Sequence, residues 1–155
     1  KDVIKSVTYL ENGNITEKTA DELDFGYRSS SFTGTDAVIL SAVLKLKKGS
    51  KDGIKEKTDD FRQRRTSKQP LNMPSAGSTF KRPEGYFAGK LIEDCGLKGY
   101  KIGGAQVSEK HCGFVINRGN ATASDVMQLI SDVKDKVKEQ FGVTMEPEVK
   151  RVGRF

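Results

Sequence analysis

Tryptophan is missing from this sequence, histidine occurs once (His111) and cysteine twice (Cys95 and Cys112). A structural zinc centre takes about four ligands at close spacing, so no metal site is expected. The two cysteines read most simply as reduced core residues, with a disulfide left open. One histidine in no visible triad leaves hydrolytic nucleophile chemistry unsupported. No apolar run approaches the roughly 20 residues of a membrane span, and no signal-peptide pattern precedes the first strand. A cytoplasmic chain without a membrane partner is the expectation. Aromatics make up 8% and do not interleave with basic residues, so a base-stacking sheet is not expected. The chain opens Lys1-Asp2-Val3-Ile4 without methionine. That suggests a processed start or a piece of something longer.

What is present is a folded, basic chain. At 155 residues it is long enough for one ordinary domain or two small ones, and its net charge is +6. Basic clusters stand at Lys45-Leu46-Lys47-Lys48 and Arg62-Gln63-Arg64-Arg65. Each alone reads as a solvated face, although the balance favours anionic partners such as phosphorylated small molecules or nucleic acid.

Val3 to Leu10 alternates around β-formers, and Glu11-Asn12-Gly13-Asn14 supplies a hairpin turn. Ala37 to Leu46 is rich in β-branched residues and predicts a buried strand. Lys51 to Ser67 is charged and nearly free of apolar groups, predicting a lightly packed helix that Pro70 and Pro74 bring to an end. A domain boundary is expected there, giving a β-rich segment 1–48, a connecting helix 49–68 and a second domain 69–155. In the latter, a short helix closes at Gly96, and short strands cover Ala105 to Ser108 and Phe114 to Asn117. A clear amphipathic helix runs from a Thr122–Asp125 capping box to Gly142. A last strand is expected over 143–152. The fold class is α+β, with a two-layer second domain around a mixed sheet. The glycines of 96–104 fit neither the dinucleotide fingerprint nor the Walker pattern, and read as turns.

Several short stretches gain meaning by their order. Tyr27-Arg28-x-Ser30-x-Phe32, Arg65-Thr66-x-Lys68-x-Pro70 and Ala76-Gly77-Ser78-x-Phe80-Lys81-x-Pro83 come first. Leu97-Lys98-Gly99, Gly103-Gly104-Ala105-Gln106-Val107-Ser108, Gly113-Phe114-x-Ile116-Asn117 and Glu146-Pro147-Glu148-Val149 follow. The set resembles the C-terminal half of the MurB flavoenzymes, the UDP-N-acetylenolpyruvoylglucosamine reductases of peptidoglycan precursor synthesis. The short passage from Leu46 to Arg65 is similar to the shorter, second type of that family. The resemblance implies an FAD-dependent oxidoreductase in which NADPH reduces the flavin. The flavin then passes hydride to the enolpyruvyl group of a UDP-sugar. By motif, Ser78 matches the proton donor, while Arg28 and Glu148 match the residues that stabilise the enolate-like intermediate. Lys68 falls near the substrate phosphates, and Gly77 in the substrate loop. His111 stands where some relatives contact substrate through glutamine, and Arg82 where some use asparagine. Tyr27 and Arg28 would lie on the flavin side.

The family's N-terminal half, with its glycine-rich FAD-cradling segments, is not in this sequence. Residues 1–48 would be the remnant of a flavin-domain lobe, and 69–155 the substrate-binding domain. The fragment alone is expected to be inactive, and its exposed strand edges could pair two copies into a homodimer. The alternative is a non-catalytic basic α+β module for a phosphorylated ligand or nucleic acid.

Overall fold

A computed structural model describes residues 1–153. The chain divides into two compact units, Lys1–Ile54 and Lys55–Phe155.

The first unit is an antiparallel sheet of three strands in the order β2-β1-β3: β1 (Ile4–Glu11), β2 (Asn14–Thr19) and β3 (Val38–Leu44). The Asn12-Gly13 turn has both φ angles positive (50° and 77°), as a tight hairpin matching the strand twist requires. A 3₁₀ turn, Ala20–Leu23, follows β2 and is held by Thr19, whose N–H donates to Glu22 Oε2 at 2.8 Å. This turn packs on β1 and β2, where Val7, Tyr9 and Leu23 are buried. Tyr9 meets Phe32 edge to face at 4.9 Å.

β3 departs from expectation. Its strand character holds, but all seven residues are exposed, Val38, Ile39, Leu40, Val43 and Leu44 among them. The strand is an edge of a three-stranded sheet, and the unit's small core gathers beside β1. Apolar composition specified a strand that wants cover; within this unit nothing supplies it.

The second unit begins in α1 (Lys51–Lys68), which buries no residue and carries charge along its length. The core sits beyond it. The sheet here is antiparallel throughout, order β4-β7-β6-β5, with β4 Ser75–Ser78, β5 Lys101–Ile102, β6 Ala105–Val107 and β7 Phe114–Asn117. The expected mixed sheet is thereby corrected. Short connections join β5 to β6 and β6 to β7, and only longer crossovers allow parallel neighbours. α2 (Ala88–Asp94) and α3 (Ala123–Phe141) pack with the sheet around one core. Leu91 and Ile92 enter from α2; Leu129, Ile130, Val133 and Val137 enter from α3; Ala105, Val107 and Val115 enter from the sheet.

α3 starts at Thr122, whose Oγ1 accepts from Asp125 N at 3.1 Å while Asp125 Oδ2 accepts from Thr122 N at 2.9 Å. It stops at Gly142 in the left-handed region. Residues 143–152 then form no strand, a second correction. Valines and threonine there suggest β-structure, yet the segment pairs only around one bridge, Phe80 with Pro147. Pro147 has no N–H to extend a ladder.

Candidate active site

Pro70 and Pro74 end α1 and turn the chain towards the sheet. Met73 N donates to Pro70 O at 3.1 Å, and Asn117 N to Pro74 O at 2.8 Å, docking this loop on β7. β4 follows with an irregular pairing. Ser75 sits opposite Ile116 and Ser78 opposite Phe114, three steps along β4 against two along β7. The extra residue is a bulge, and Gly77 occupies it with φ +84°. An added Cβ at Gly77 would meet nothing, so the requirement for glycine is conformational rather than steric. A bulge re-aims the side chain that follows it. Ser78 is that side chain, and it lines a cavity of about 480 Å³ with Arg65, Gln69, Met73, Gly77 and Phe114.

The next residue anchors this arrangement. Thr79 is buried, and its N–H donates to Gly113 O at 2.8 Å while its Oγ1 accepts from Val115 N at 3.0 Å. Its carbonyl accepts from Glu148 N at 2.8 Å, and Lys81 N donates to Glu146 O at 2.8 Å. A Lys81–Glu146 ion pair at 2.9 Å reinforces the same junction. The expected proton donor and the expected glutamate, 70 positions apart in sequence, therefore stand on directly paired backbone segments. Position 148 is reached without the strand that was expected to carry it.

The other candidates are placed differently. Lys68 is exposed at the end of α1 and does not line the cavity. Arg82 donates from Nε to Tyr86 O at 3.2 Å and stacks its guanidinium on Phe87 at 4.0 Å. His111 accepts at Nδ1 from Gly113 N at 3.1 Å, which leaves Nε2 as the ring nitrogen open to another partner. It meets Phe114 edge to face at 5.1 Å, and Phe114 in turn lines the cavity. Tyr27 and Arg28 belong to the first unit, on a tight turn closed by Gly26 N donating to Ser29 O at 3.1 Å. Both are exposed, and Arg28 adopts φ 56°, a left-handed conformation uncommon outside glycine, asparagine and aspartate.

Burial pushes the thiols of Cys112 and Cys95 above their ordinary range, away from the thiolate a nucleophile needs, and both are free. Among the described residues no group of three His, Cys, Asp or Glu could hold a metal ion. None of the helices among the described residues is long and apolar enough to cross a membrane.

A family profile for the UDP-N-acetylenolpyruvoylglucosamine reductase C-terminal domain matches residues 69–152. The chain belongs to that family. It is 56% identical to a UDP-N-acetylenolpyruvoylglucosamine reductase of Lachnoclostridium phytofermentans, over 99% of this chain and 50% of that protein. The reductase of Clostridioides difficile is 53% identical over 99% of this chain and 51% of its own length. The crystal structure of the Thermus caldophilus reductase (MurB) matches with a TM-score of 0.80 at 34% identity, covering 97% of this chain and 54% of that one. The chain thus spans about half the length of the curated relatives it matches.

Within this domain, sequence reasoning passed over Arg65, Gln69 and Met73 as cavity residues, and over β4 as a strand. Ser75-Ala76-Gly77-Ser78 has no β-branched or aromatic member, so no pattern announces it. The signal available for Arg65 was its place in the last turn of a helix that two prolines force to end.

Proposed function

We propose that this chain is the substrate-binding half of a UDP-N-acetylmuramate-forming reductase, with Ser78 delivering a proton from Oγ to the substrate. The single observation that carries the reading is the Gly77 bulge. It turns Ser78 into the cavity while Thr79 ties the same backbone to Glu148. Serine is a weak acid, so it serves only a strongly basic acceptor held at hydrogen-bond distance. A carbanion beside a carboxylate is such an acceptor, and Arg28 and Glu148 would stabilise its charge. Lys68, Arg82 and His111 would contribute to binding the UDP-sugar around the cavity. In this reading 69–155 is the substrate domain, 49–68 its connecting helix and 1–48 part of a flavin lobe.

FAD, reduced by NADPH, would supply the hydride in the whole reductase. The described residues do not by themselves fit a dinucleotide: Tyr27 and Arg28 stand exposed on one turn, with no enclosing cradle. No step is therefore assigned to flavin within this chain. The isolated chain is expected to be colourless and inactive. The free edge and exposed apolar residues of β3 suit pairing between two copies, a homodimer that a monomeric mass at high concentration would exclude.

The test is reconstitution. Co-expression with the N-terminal half of a relative should restore substrate-dependent NADPH oxidation. Ser78→Ala should lower it by about 10²–10⁴-fold, the usual contribution of a positioned general acid. Full activity in Ser78→Ala would sink the proton-donor assignment, and a yellow, NADPH-oxidising preparation of the chain alone would sink the expectation that it is inactive without its other half.

A further inference from the structure

We infer that Arg65 is an anion-binding residue of the Ser78 cavity and that Lys110 is the residue that positions it. The inference rests on the reading of that cavity as the ligand site.

Adjacent residues of an α-helix point about 100° apart. Arg64 spends its charge along α1, where its Nη2 lies 2.9 Å from Asp60 Oδ2. Arg65 faces the cavity instead. Its Nε donates to Gln69 Oε1 at 3.2 Å, and no other partner of this guanidinium is found among the described residues. Anchoring Nε fixes the plane of the fork and leaves the Nη groups for a ligand. A guanidinium held this way suits bidentate capture of phosphate or carboxylate oxygens.

The helix end opposes such a ligand. The cavity lies at the C-terminal turn of α1, where exposed carbonyls carry the negative end of the helix dipole and disfavour an anion. Lys110 answers it. Its Nζ donates to Thr66 O at 2.6 Å, placing an ammonium on the last turn, one residue from Arg65. The loop carrying Lys110 is itself held. Buried Ser108 accepts through Oγ from Lys110 N at 3.2 Å and His111 N at 3.3 Å, and donates its own N–H to Phe114 O at 2.9 Å. Phe114 lines the cavity, and Gly113 O holds Thr79 beside Ser78. One loop therefore fixes both the helix end that presents Arg65 and the strand that presents Ser78. The ligand group is a small oxyanion, either a phosphate or a carboxylate of the bound molecule.

NMR titration of the full chain tests this, with inorganic diphosphate in one arm and lactate in the other. The Arg65 Nε–H signal should move together with the Gly77 and Ser78 amides, saturating with one affinity. Movement with diphosphate alone assigns a phosphate, with lactate alone a carboxylate, and both results support the site. Arg65→Gln should weaken binding about tenfold or more, consistent with loss of a charge-assisted pair. Lys110→Met should weaken it several-fold with the remaining spectrum intact, and Lys110→Arg should restore it. A silent Arg65 Nε–H with both anions, or undiminished affinity in Arg65→Gln, overturns the proposal; Lys110→Met without effect overturns the positioning role. UDP-N-acetylglucosamine separates this from the wider reading. If it moves Ser78 and leaves Arg65 still, the UDP-sugar reading stands and the Arg65 assignment falls. If anions bind through Arg65 and the sugar nucleotide cannot displace them, the Arg65 assignment stands and the UDP-sugar reading falls.

Discussion

The two units use apolar residues in opposite ways. In Lys55–Phe155, two helices and a four-stranded sheet close over one core, and Leu129, Val133, Val137, Ala105 and Val107 have no exposed surface at all. In Lys1–Ile54 the most continuous apolar run of the chain lies on β3 in full view of solvent, and only Val7, Tyr9 and Leu23 form a buried apolar set. The contrast teaches where stability and where recognition are invested. The second unit is stabilised by its own packing, so it can hold a bulged, glycine-dependent loop at a cavity. The first has a sheet whose apolar content exceeds what its own residues cover.

The largest expected effect would break this comparison outright. Leu129→Ala removes a fully buried side chain from α3 and should cost about 2–5 kcal/mol, read as a lower urea midpoint for the second unit. Leu40→Thr, on exposed β3, should change stability by no more than about 0.5 kcal/mol. Comparable losses at the two sites would mean that β3 is core after all. Hydrogen exchange gives the same test without mutation: amides of β1 to β3 should exchange well before those of α3 and β6.

Gly77→Ala comes next. The substitution meets no neighbour but must hold φ +84°, a left-handed conformation costing an L-residue about 1–2 kcal/mol. Either that cost appears in the denaturation midpoint, or the loop relaxes and the Ser78 amide shifts in the NMR spectrum. A stable variant with an unmoved Ser78 would show that the bulge does not depend on glycine. Thr122→Ala follows at about 1 kcal/mol, because it removes the hydroxyl that accepts from Asp125 N at the start of α3. Its effect should be confined to the second unit.

How much of this could be read from the residues alone varies with how local the cause is. The Asn12-Gly13 hairpin, α1, and α3 with its Thr122–Asp125 box and Gly142 stop are encoded in neighbouring residues, and all three appear where expected. β3 was legible as a strand and illegible as an exposed one, since exposure depends on what else packs nearby. β4 and the 143–152 segment fail for the opposite reason: their backbone is held by partners distant in sequence, Gly113 and Glu148 through Thr79, rather than by propensity. At the candidate site, Ser78, Gly77 and Glu148 emerged from an ordered series of motifs, and the geometry brings them to one junction. Arg65 stood in that series too, but its place on the cavity depends on the fold, and Lys110 did not emerge, because its link to Thr66 O spans 44 positions and no local pattern encodes it.

The smallest effect is electrostatic, and it sharpens the comparison because both units carry the same device. Backbone hydrogen bonding to Thr19 holds the Glu22 carboxyl below its usual range in the first unit, and backbone hydrogen bonding to Thr122 does so for Asp125 in the second. Both folded pKa values are depressed, so each contributes stability that is complete above the unfolded values, about 4.3 for Glu and 3.9 for Asp. That stability is lost as pH falls through the lowered folded values. Both losses therefore lie in the acid range and neither touches behaviour near neutrality. Their consequences should differ, because α3 keeps its buried face when its cap is protonated, whereas the 3₁₀ turn of the first unit rests on little more than Leu23. On acid titration followed by amide NMR, the first unit should open first. Glu22→Gln should flatten its pH dependence, and Asp125→Asn should do the same for the later transition of the second unit. Opening in the reverse order would mean that the first unit has more internal support than its buried residues indicate.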